Sequence, residues 1–267
     1  MDKRAIGVFD SGLGGLTAVK EIMELLPQEN LIYFGDTGRV PYGTRSGEII
    51  IKYSRQDIKF LESFDVKMIV VACGTVSSVA LPTLRKECTV PIVGVVEAAA
   101  DAALAATKNN KIGIIGTPGT IASDAYSKRI LAQNPHIQTF SKACPLFVPL
   151  VENGHFDTQV ARLVIEEYLA DIRDKGVDTL ILGCTHYPLL EKAIAEFMGS
   201  GVTLINSGAE IAKQLETSYP ELLNKEGKTG ECHYYVSDNI DNFEHLASMF
   251  LRRDVNGQVA KIDIEKY

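Results

Sequence analysis

Short apolar, β-branched runs alternate along the chain with longer segments in which apolar residues recur at helical spacing. The runs that resemble buried strands are residues 5–9, 31–34, 68–72, 92–96, 112–115, 179–182 and 202–205. Strands of a parallel sheet have this composition because both of their faces are covered. Two of the intervening segments show near-helical spacing of apolar side chains: Ile50, Tyr53, Phe60 and Phe64, then Val160, Val164, Tyr168 and Ile172. The alternation predicts an α/β fold.

The two halves of the chain resemble each other. Residues 6–11 (IGVFDS) match 112–117 (IGIIGT), and 69–73 (IVVAC) match 180–184 (LILGC), in the same order and at similar separations. Ordered matches of this kind indicate a duplicated structural unit. We therefore predict two similar domains with parallel-sheet cores related by pseudo-twofold symmetry and an active site in the cleft between them. The first domain would comprise residues 1–95 and 207–267 and carry Cys73; the second would comprise 96–206 and carry Cys184.

Charge and hydropathy narrow the class of protein. The formal net charge of -7 argues against nucleic-acid and anionic-membrane partners, because Lys and Arg hold those surfaces. No apolar stretch reaches membrane-spanning length, and the apolar run 6–9 near the N-terminus is too short for a signal peptide. These features predict a cytoplasmic protein that acts on a small molecule.

The chain has five cysteines, at positions 73, 88, 144, 184 and 232, and no C-x-x-C pair. In a reducing compartment such a set predicts neither disulfides nor a structural zinc site. Cys88, Cys144 and Cys232 are expected to be small buried apolar residues, the usual environment of an unpaired cysteine.

Cys73 and Cys184 occupy equivalent places in the two halves. Each follows an apolar run and precedes a polar turn and a predicted helix, so both thiols should lie at carboxyl ends of strands, where open α/β sheets bind ligands. Inversion at a carbon requires one acid–base group on each face of that carbon. A thiol suits this work, because its reference pKa near 8.5 makes both protonation states accessible close to neutrality. The pair is a candidate for two-base proton transfer.

Three further features have alternative interpretations. The glycine-rich turn 10–15 (DSGLGG) is either an anion cradle made of backbone amides or a tight turn alone. It fits neither the dinucleotide fingerprint nor a Walker motif. The segment Pro41-Tyr42-Gly43 has the residues of a turn. His186, two residues after Cys184, either orients the thiol or is an ordinary hydrogen-bonded histidine.

Five segments together resemble glutamate racemases, within the aspartate/glutamate racemase family. They are residues 9–15 (FDSGLGG), 33–43 (YFGDTGRVPYG), 71–75 (VACGT), 148–154 (VPLVENG) and 183–188 (GCTHYP). The resemblance covers nearly the whole chain. The opening segment and GCTHYP are more similar to glutamate racemases than to aspartate racemases.

The resemblance implies a role for each matching residue. Cys73 and Cys184 would be the catalytic pair, with Asp10 supporting the first, and His186 and Glu152 the second. The implied substrate contacts are Asp10, Ser11, Pro41, Tyr42, Gly43, Thr75, Thr185 and His186. It further implies a homodimer without pyridoxal phosphate, metal or other cofactor that supplies D-glutamate for peptidoglycan synthesis in cell-wall biogenesis.

One position departs from the family pattern. The family has Asn after the first catalytic cysteine, in A-C-N-T-A, whereas this chain has Gly74 there and Val76 after Thr75. Loss of a side-chain amide contact typically removes about 0.5 to 1.5 kcal/mol of binding. We therefore expect weakened substrate binding, and two alternatives stay open: racemisation of another acidic amino acid such as aspartate, and a non-catalytic binding or regulatory homologue.

Overall fold

The computed structural model describes residues 2–225 and 227–267 and contains two parallel sheets. The strands are β1 (Ile6–Asp10), β2 (Leu31–Gly35), β3 (Met68–Val71), β4 (Ile92–Gly94), β5 (Lys111–Gly116), β6 (Gln138–Ala143), β7 (Thr179–Leu182), β8 (Thr203–Asn206), β9 (Cys232–Val236) and β10 (Val259–Lys261). One sheet has the order β10-β9-β2-β1-β3-β4 and the other the order β6-β5-β7-β8. The predicted α/β class with two parallel-sheet cores is confirmed.

Helices connect these strands, as parallel pairing requires. They are α1 (Leu16–Leu25), α2 (Gly47–Glu62), α3 (Gly74–Val79), α4 (Leu81–Leu84), α5 (Val95–Ala106), α6 (Pro118–Ser123), α7 (Ala125–Gln133), α8 (Phe147–Glu152), α9 (Gln159–Asp174), α10 (Glu191–Met198), α11 (Ser207–Ser218) and α12 (Ile240–Leu251). Short 3₁₀ turns occur at Tyr42–Thr44, Tyr187–Leu190 and Ile264–Lys266. Within the described residues, no helix combines the length and apolar character needed to cross a bilayer.

The two segments with helical spacing are the two longest of these helices, α2 and α9. Each begins at a hydroxyl side chain that accepts a hydrogen bond from a backbone amide of the first turn: Ser46 from Ile49, and Thr158 from Ala161. Phe64 lies beyond the end of α2. Both helices bury one apolar face against a sheet.

All seven predicted strand segments contain strands, and most of their boundaries lie within one residue of the observed ones, but the end of one segment is wrong by two residues. Within the predicted segment 92–96, the strand β4 ends at Gly94 and the helix α5 begins at Val95. Val95 and Val96 are buried, as they would be in a strand. Apolar character alone therefore does not separate the end of a strand from the start of a helix.

The internal repeat corresponds to a repeat of topology. The order β2-β1-β3-β4 in the larger sheet recurs as β6-β5-β7-β8 in the smaller one. The chain after α11 adds β9 and β10 to the edge of the larger sheet, beside β2. We propose the division into residues 1–95 with 207–267 and residues 96–206 on this basis.

A continuous hydrophobic cluster joins the two halves. It includes Val8 and Tyr33 of the larger sheet and Leu180 and Leu182 of the smaller one, all fully buried. Helices α1 and α11 pack against each other beside it. This packing brings the carboxyl ends of the central strands from both sheets to a shared cleft.

Candidate active site

A cavity of about 260 Å³ lies where the turns that follow β1, β3, β5 and β7 meet. Both halves of the chain contribute to its walls. The lining residues are Ser11, Gly12, Val40, Pro41, Tyr42, Gly43, Thr44, Cys73, Gly74, Thr75, Thr117, Pro118, Cys144, Pro145, Val148, Pro149, Glu152, Cys184, Thr185 and His186. The two equivalent thiols therefore open into one cavity, as the repeat in the sequence led us to expect.

Cys73 stands between β3 and α3, where its extended backbone precedes the first helical residue. Its thiol is 4% exposed and donates a hydrogen bond to Ser11 Oγ at 3.5 Å. Burial and the neighbouring Asp10 carboxylate raise the pKa of Cys73 to about 12. With its pKa at this value, Cys73 is a neutral thiol near pH 7.

Asp10 ends β1 and lies beneath the cavity rather than among its lining residues. Its carboxylate accepts hydrogen bonds from the Gly12 amide at 3.0 Å and from Thr185 Oγ1 at 3.4 Å. Burial raises the pKa of Asp10, against the lowering effect of His186. Asp10 is thus placed to hold the turn after β1 and the turn that contains Cys184 from beneath the cavity.

Cys184 has a histidine and a carboxylate behind it. Its Sγ lies 3.9 Å from His186 Nδ1, and His186 Nε2 donates to Glu152 Oε1 at 3.0 Å. Burial favours the neutral ring, but the hydrogen bonds to Cys184 and Glu152 outweigh it and raise the pKa of His186 to about 10. Glu152 comes from the end of α8. The relay Cys184–His186–Glu152 therefore holds a proton beside the second thiol.

The remaining sequence-predicted residues all line the cavity, Tyr42 among them. Its hydroxyl donates to the buried carboxylate of Asp36 and lies 3.2 Å from Asp57 Oδ2, away from the cavity. The residue is only 1% exposed and forms part of the cavity wall. Ser11, Pro41, Gly43, Thr75 and Thr185 lie at the surface of the cavity.

Sequence reasoning missed part of the wall. Thr117 joins the two halves, because its Oγ1 lies 2.9 Å from Thr75 Oγ1 and 3.0 Å from Thr120 Oγ1. The repeat contained the signal, since Thr117 occupies the place of Ser11 in the second half. Cys144 is fully buried as expected, yet it also borders the cavity, next to Pro145.

Gly74 is in contact with the opposite catalytic turn. A Cβ atom built on it would lie 2.3 Å from the carbonyl oxygen of Gly183, much closer than real Cβ contacts allow. Gly14 is similarly crowded, with Thr185 Oγ1 at 2.3 Å from its Cβ position. Position 74 has no room for a side chain, so glycine there follows from the close approach of the two turns.

The chemistry available in the cavity is acid–base chemistry by thiols. Among the residues that the structure describes, the lining includes no Lys or Arg, and its carboxylate is Glu152. No group of three or more His, Cys, Asp or Glu side chains in residues 2–225 and 227–267 is arranged to hold a metal ion. Hydroxyls from both halves supply neutral hydrogen-bond donors.

Comparison with known proteins agrees with this geometry. The family model for Asp/Glu/hydantoin racemases matches residues 19–215. The chain belongs to this racemase family. A glutamate racemase of Geobacter metallireducens is 47% identical over 267 residues, which cover 99% of this chain and 98% of that one. The sequence resemblance to glutamate racemases is therefore confirmed.

Solved structures of the family extend the likeness to the fold. A glutamate racemase of Francisella tularensis subsp. tularensis SCHU S4, in complex with D-glutamate, aligns with a TM-score of 0.92 at 38% identity over 100% of both chains. A glutamate racemase isoform of Bacillus anthracis aligns with a TM-score of 0.94 at 37% identity over 98% of both.

Proposed function

We propose that the protein racemises glutamate at its α-carbon without a cofactor, using Cys73 and Cys184 as the two acid–base groups. The main support is geometric: one thiol follows each of the equivalent strands β3 and β7, and both line the same cavity. The curated relatives at 42–47% identity are glutamate racemases, which favours glutamate over aspartate as the substrate.

In each direction one cysteine acts as base and the other as acid. The thiolate of one removes the α-proton and becomes a thiol, which leaves a planar carbanion. The opposite thiol then donates its proton to the other face and becomes a thiolate. The reverse reaction exchanges the two roles, and the enzyme ends each turnover with its thiols in the opposite protonation state.

The cavity walls suit a dicarboxylate held by neutral donors. Hydroxyls of Ser11, Thr75, Thr117 and Thr185 reach the cavity from both halves. Hydrogen bonds to charged oxygens are the stronger kind, so several hydroxyls can replace an arginine. Because none of the described lining residues is Lys or Arg, these donors and the His186 imidazolium are the groups available to stabilise the negative charge that develops on the α-carboxylate during deprotonation.

The relay behind Cys184 supports its role as base. A protonated His186, hydrogen-bonded to Glu152, stabilises negative charge on the adjacent sulfur. Asp10 supports the Cys73 side of the cavity. Its carboxylate accepts hydrogen bonds from the Gly12 amide and from Thr185 Oγ1, and so links the turn after β1 to the turn after β7. From the family resemblance we extend the proposal to a cytoplasmic homodimer that supplies D-glutamate for peptidoglycan synthesis.

The first test is racemisation of L-glutamate by purified protein in deuterated buffer without added cofactor. We expect loss of optical rotation together with incorporation of one deuterium at the α-carbon, measured by polarimetry and NMR. Exchange with aspartate but not glutamate would show the alternative substrate. Binding of glutamate without any exchange would show a non-catalytic homologue.

Gly74 offers a specific test of how closely the two turns must approach. We expect Gly74→Ala and Gly74→Asn each to lower kcat/KM by roughly 5- to 150-fold, because overpacking costs about 1–3 kcal/mol and here displaces the catalytic turns. The matched control is Gly201→Asn, since a Cβ at Gly201 meets nothing within 4 Å. Higher activity in Gly74→Asn would instead show that the missing amide limits this enzyme.

A further inference from the structure

A cluster of buried charges lies behind the wall of the cavity formed by residues 40–44. It consists of Asp36, which directly follows β2, Arg39 in the same loop, and Asp57 of α2, and we name it the loop-anchoring cluster. None of the three lines the cavity. The side chains of Asp36 and Asp57 are 0% exposed and that of Arg39 only 12% exposed. Charges buried to this extent need a partner for each hydrogen-bonding group.

Arg39 forms the centre of the cluster. Its Nε donates to Asp36 Oδ2 at 2.6 Å, and its Nη2 donates to Asp57 Oδ1 at 3.0 Å. The guanidinium carbon lies 4.2 Å from the centroid of the Tyr53 ring, a stacking arrangement favourable for arginine. A planar guanidinium reaches the two carboxylates through separate N–H groups of a rigid fork, a geometry that the compact lysine ammonium does not reproduce.

Tyr42 connects this cluster to the cavity. Its hydroxyl lies within hydrogen-bond distance of Asp36 Oδ2 and, at 3.2 Å, of Asp57 Oδ2. A tyrosine has one hydroxyl proton, so it cannot donate fully to both carboxylates. Burial and the nearby Asp36 charge raise the pKa of Asp57 well above its usual range. Asp57 is therefore the carboxyl placed to share a proton with Tyr42, while Arg39 contacts both carboxyl groups and Glu265.

The cluster also ties the loop to distant parts of the chain. Ser237 Oγ donates to Asp36 Oδ1 at 2.8 Å and accepts from the Gly38 amide at 2.7 Å. The Asp36 amide donates to the carbonyl oxygen of Asp10 at 3.1 Å. The wall at residues 40–44 is therefore held by contacts with three other parts of the chain: the end of β1, helix α2 and the residue after β9.

We propose that Arg39 and Asp36 are positioning residues, which hold the cavity wall 40–44 in the conformation that binds substrate. This inference rests on the proposed function, because it concerns the binding of the same substrate. Without the guanidinium, the loop loses its attachment to two buried carboxylates and must be ordered when substrate binds. The ordering cost raises KM and leaves kcat nearly unchanged, since the thiols themselves are untouched.

The test compares Arg39→Ala and Arg39→Lys with the control Arg55→Ala, which removes an exposed arginine paired with Glu87. We expect both Arg39 variants to raise KM for glutamate by about 10- to 100-fold, with kcat within about threefold of wild type. Methylguanidinium, well below denaturing concentration, should restore KM at least tenfold in Arg39→Ala and have no effect on Arg55→Ala.

A second pair of variants compares the two carboxyl groups of the cluster. Asp36→Asn alters the group that accepts from Arg39, Tyr42 and Ser237, and should raise KM about tenfold more than Asp57→Asn, which alters the group in contact with Arg39 and Tyr42 alone. Equal effects, or lowered thermal stability in the Arg39 variants with unchanged KM, would overturn the proposal. We also expect amide hydrogen exchange of a peptide spanning residues 37–45 to accelerate in Arg39→Ala. This measurement needs no substrate, so it tests the positioning proposal even if the protein does not racemise glutamate.

Discussion

Replacing either Cys73 or Cys184 with alanine is expected to lower the rate of glutamate racemisation by about 10³-fold or more. Each substitution removes the acid–base group from one face of the substrate, and a positioned acid or base contributes about 10²- to 10⁴-fold. The measurement is the initial rate of change in optical rotation, in both directions, with L- and D-glutamate. The double variant should be no slower than the single variants by more than about tenfold, because the two thiols act as one unit.

Exchange with solvent distinguishes the two positions more sharply than the rate does. With one thiol left, the α-proton of only one enantiomer faces a base, and it can be removed and replaced on the same face. Each single variant should therefore wash deuterium into one enantiomer without inversion, and the two variants should select opposite enantiomers. Cys88→Ala is the matched control, because that thiol is half-buried outside the cavity and donates to Glu62. Full racemisation by Cys73→Ala or Cys184→Ala would contradict the two-thiol mechanism.

The strands that could be predicted from the sequence are those whose own residues are apolar on both faces. Runs such as those of β3 and β7 are apolar on both faces, so their composition identifies them before any partner is known. Strands β6, β9 and β10 were not predicted. Strand β6 has no fully buried residue, and β10 is three residues long at the edge of its sheet. Their strand conformation depends on pairing, of β6 with β5, of β9 with β2 and of β10 with β9, which the local sequence does not encode.

The same distinction applies to the site. The internal repeat identified Cys73 and Cys184 because equivalent strands of a duplicated unit end at equivalent places. The directions of the side chains of Asp10 and Tyr42 depend instead on Thr185 and Asp57, buried partners supplied by other segments. The crowding at Gly74 comes from Gly183 in the opposite half. Sequence pattern thus located the reacting groups, whereas the contacts that orient them required the tertiary structure.

The two halves are similar in topology but differ in how they support their thiols. Cys73 has a hydroxyl partner and a nearby carboxylate, which together leave it a neutral thiol with its pKa raised to about 12. Cys184 has a histidine whose pKa is raised to about 10. Duplication supplied two equivalent positions, and the two thiols have different neighbours: the Ser11 hydroxyl beside Cys73 and the His186 ring beside Cys184.

His186→Gln is expected to lower racemisation by about 10²- to 10³-fold and to change its pH dependence. Because the pKa of His186 is raised to about 10, the ring stays protonated well above pH 6.5 in the folded protein. The imidazolium therefore supports a Cys184 thiolate at neutral pH, and this support is lost as the pH rises through about 10. Glutamine keeps a hydrogen bond but supplies no charge. The wild-type rate should therefore show a falling alkaline limb near pH 10 that is absent from the variant, measured as kcat/KM across pH 6 to 11.

Two comparisons make this prediction specific to the relay. His136→Gln changes an exposed histidine outside the cavity and should leave the alkaline limb in place. Glu152→Gln removes the carboxylate that accepts from His186 Nε2 and should move the limb to lower pH, because the imidazolium loses its counter-charge. If Glu152→Gln left the limb unchanged while His186→Gln abolished it, the proton beside Cys184 would be held by the thiolate alone. The side chain of Glu152 is 37% exposed, so the shift should shrink as added salt screens the pair.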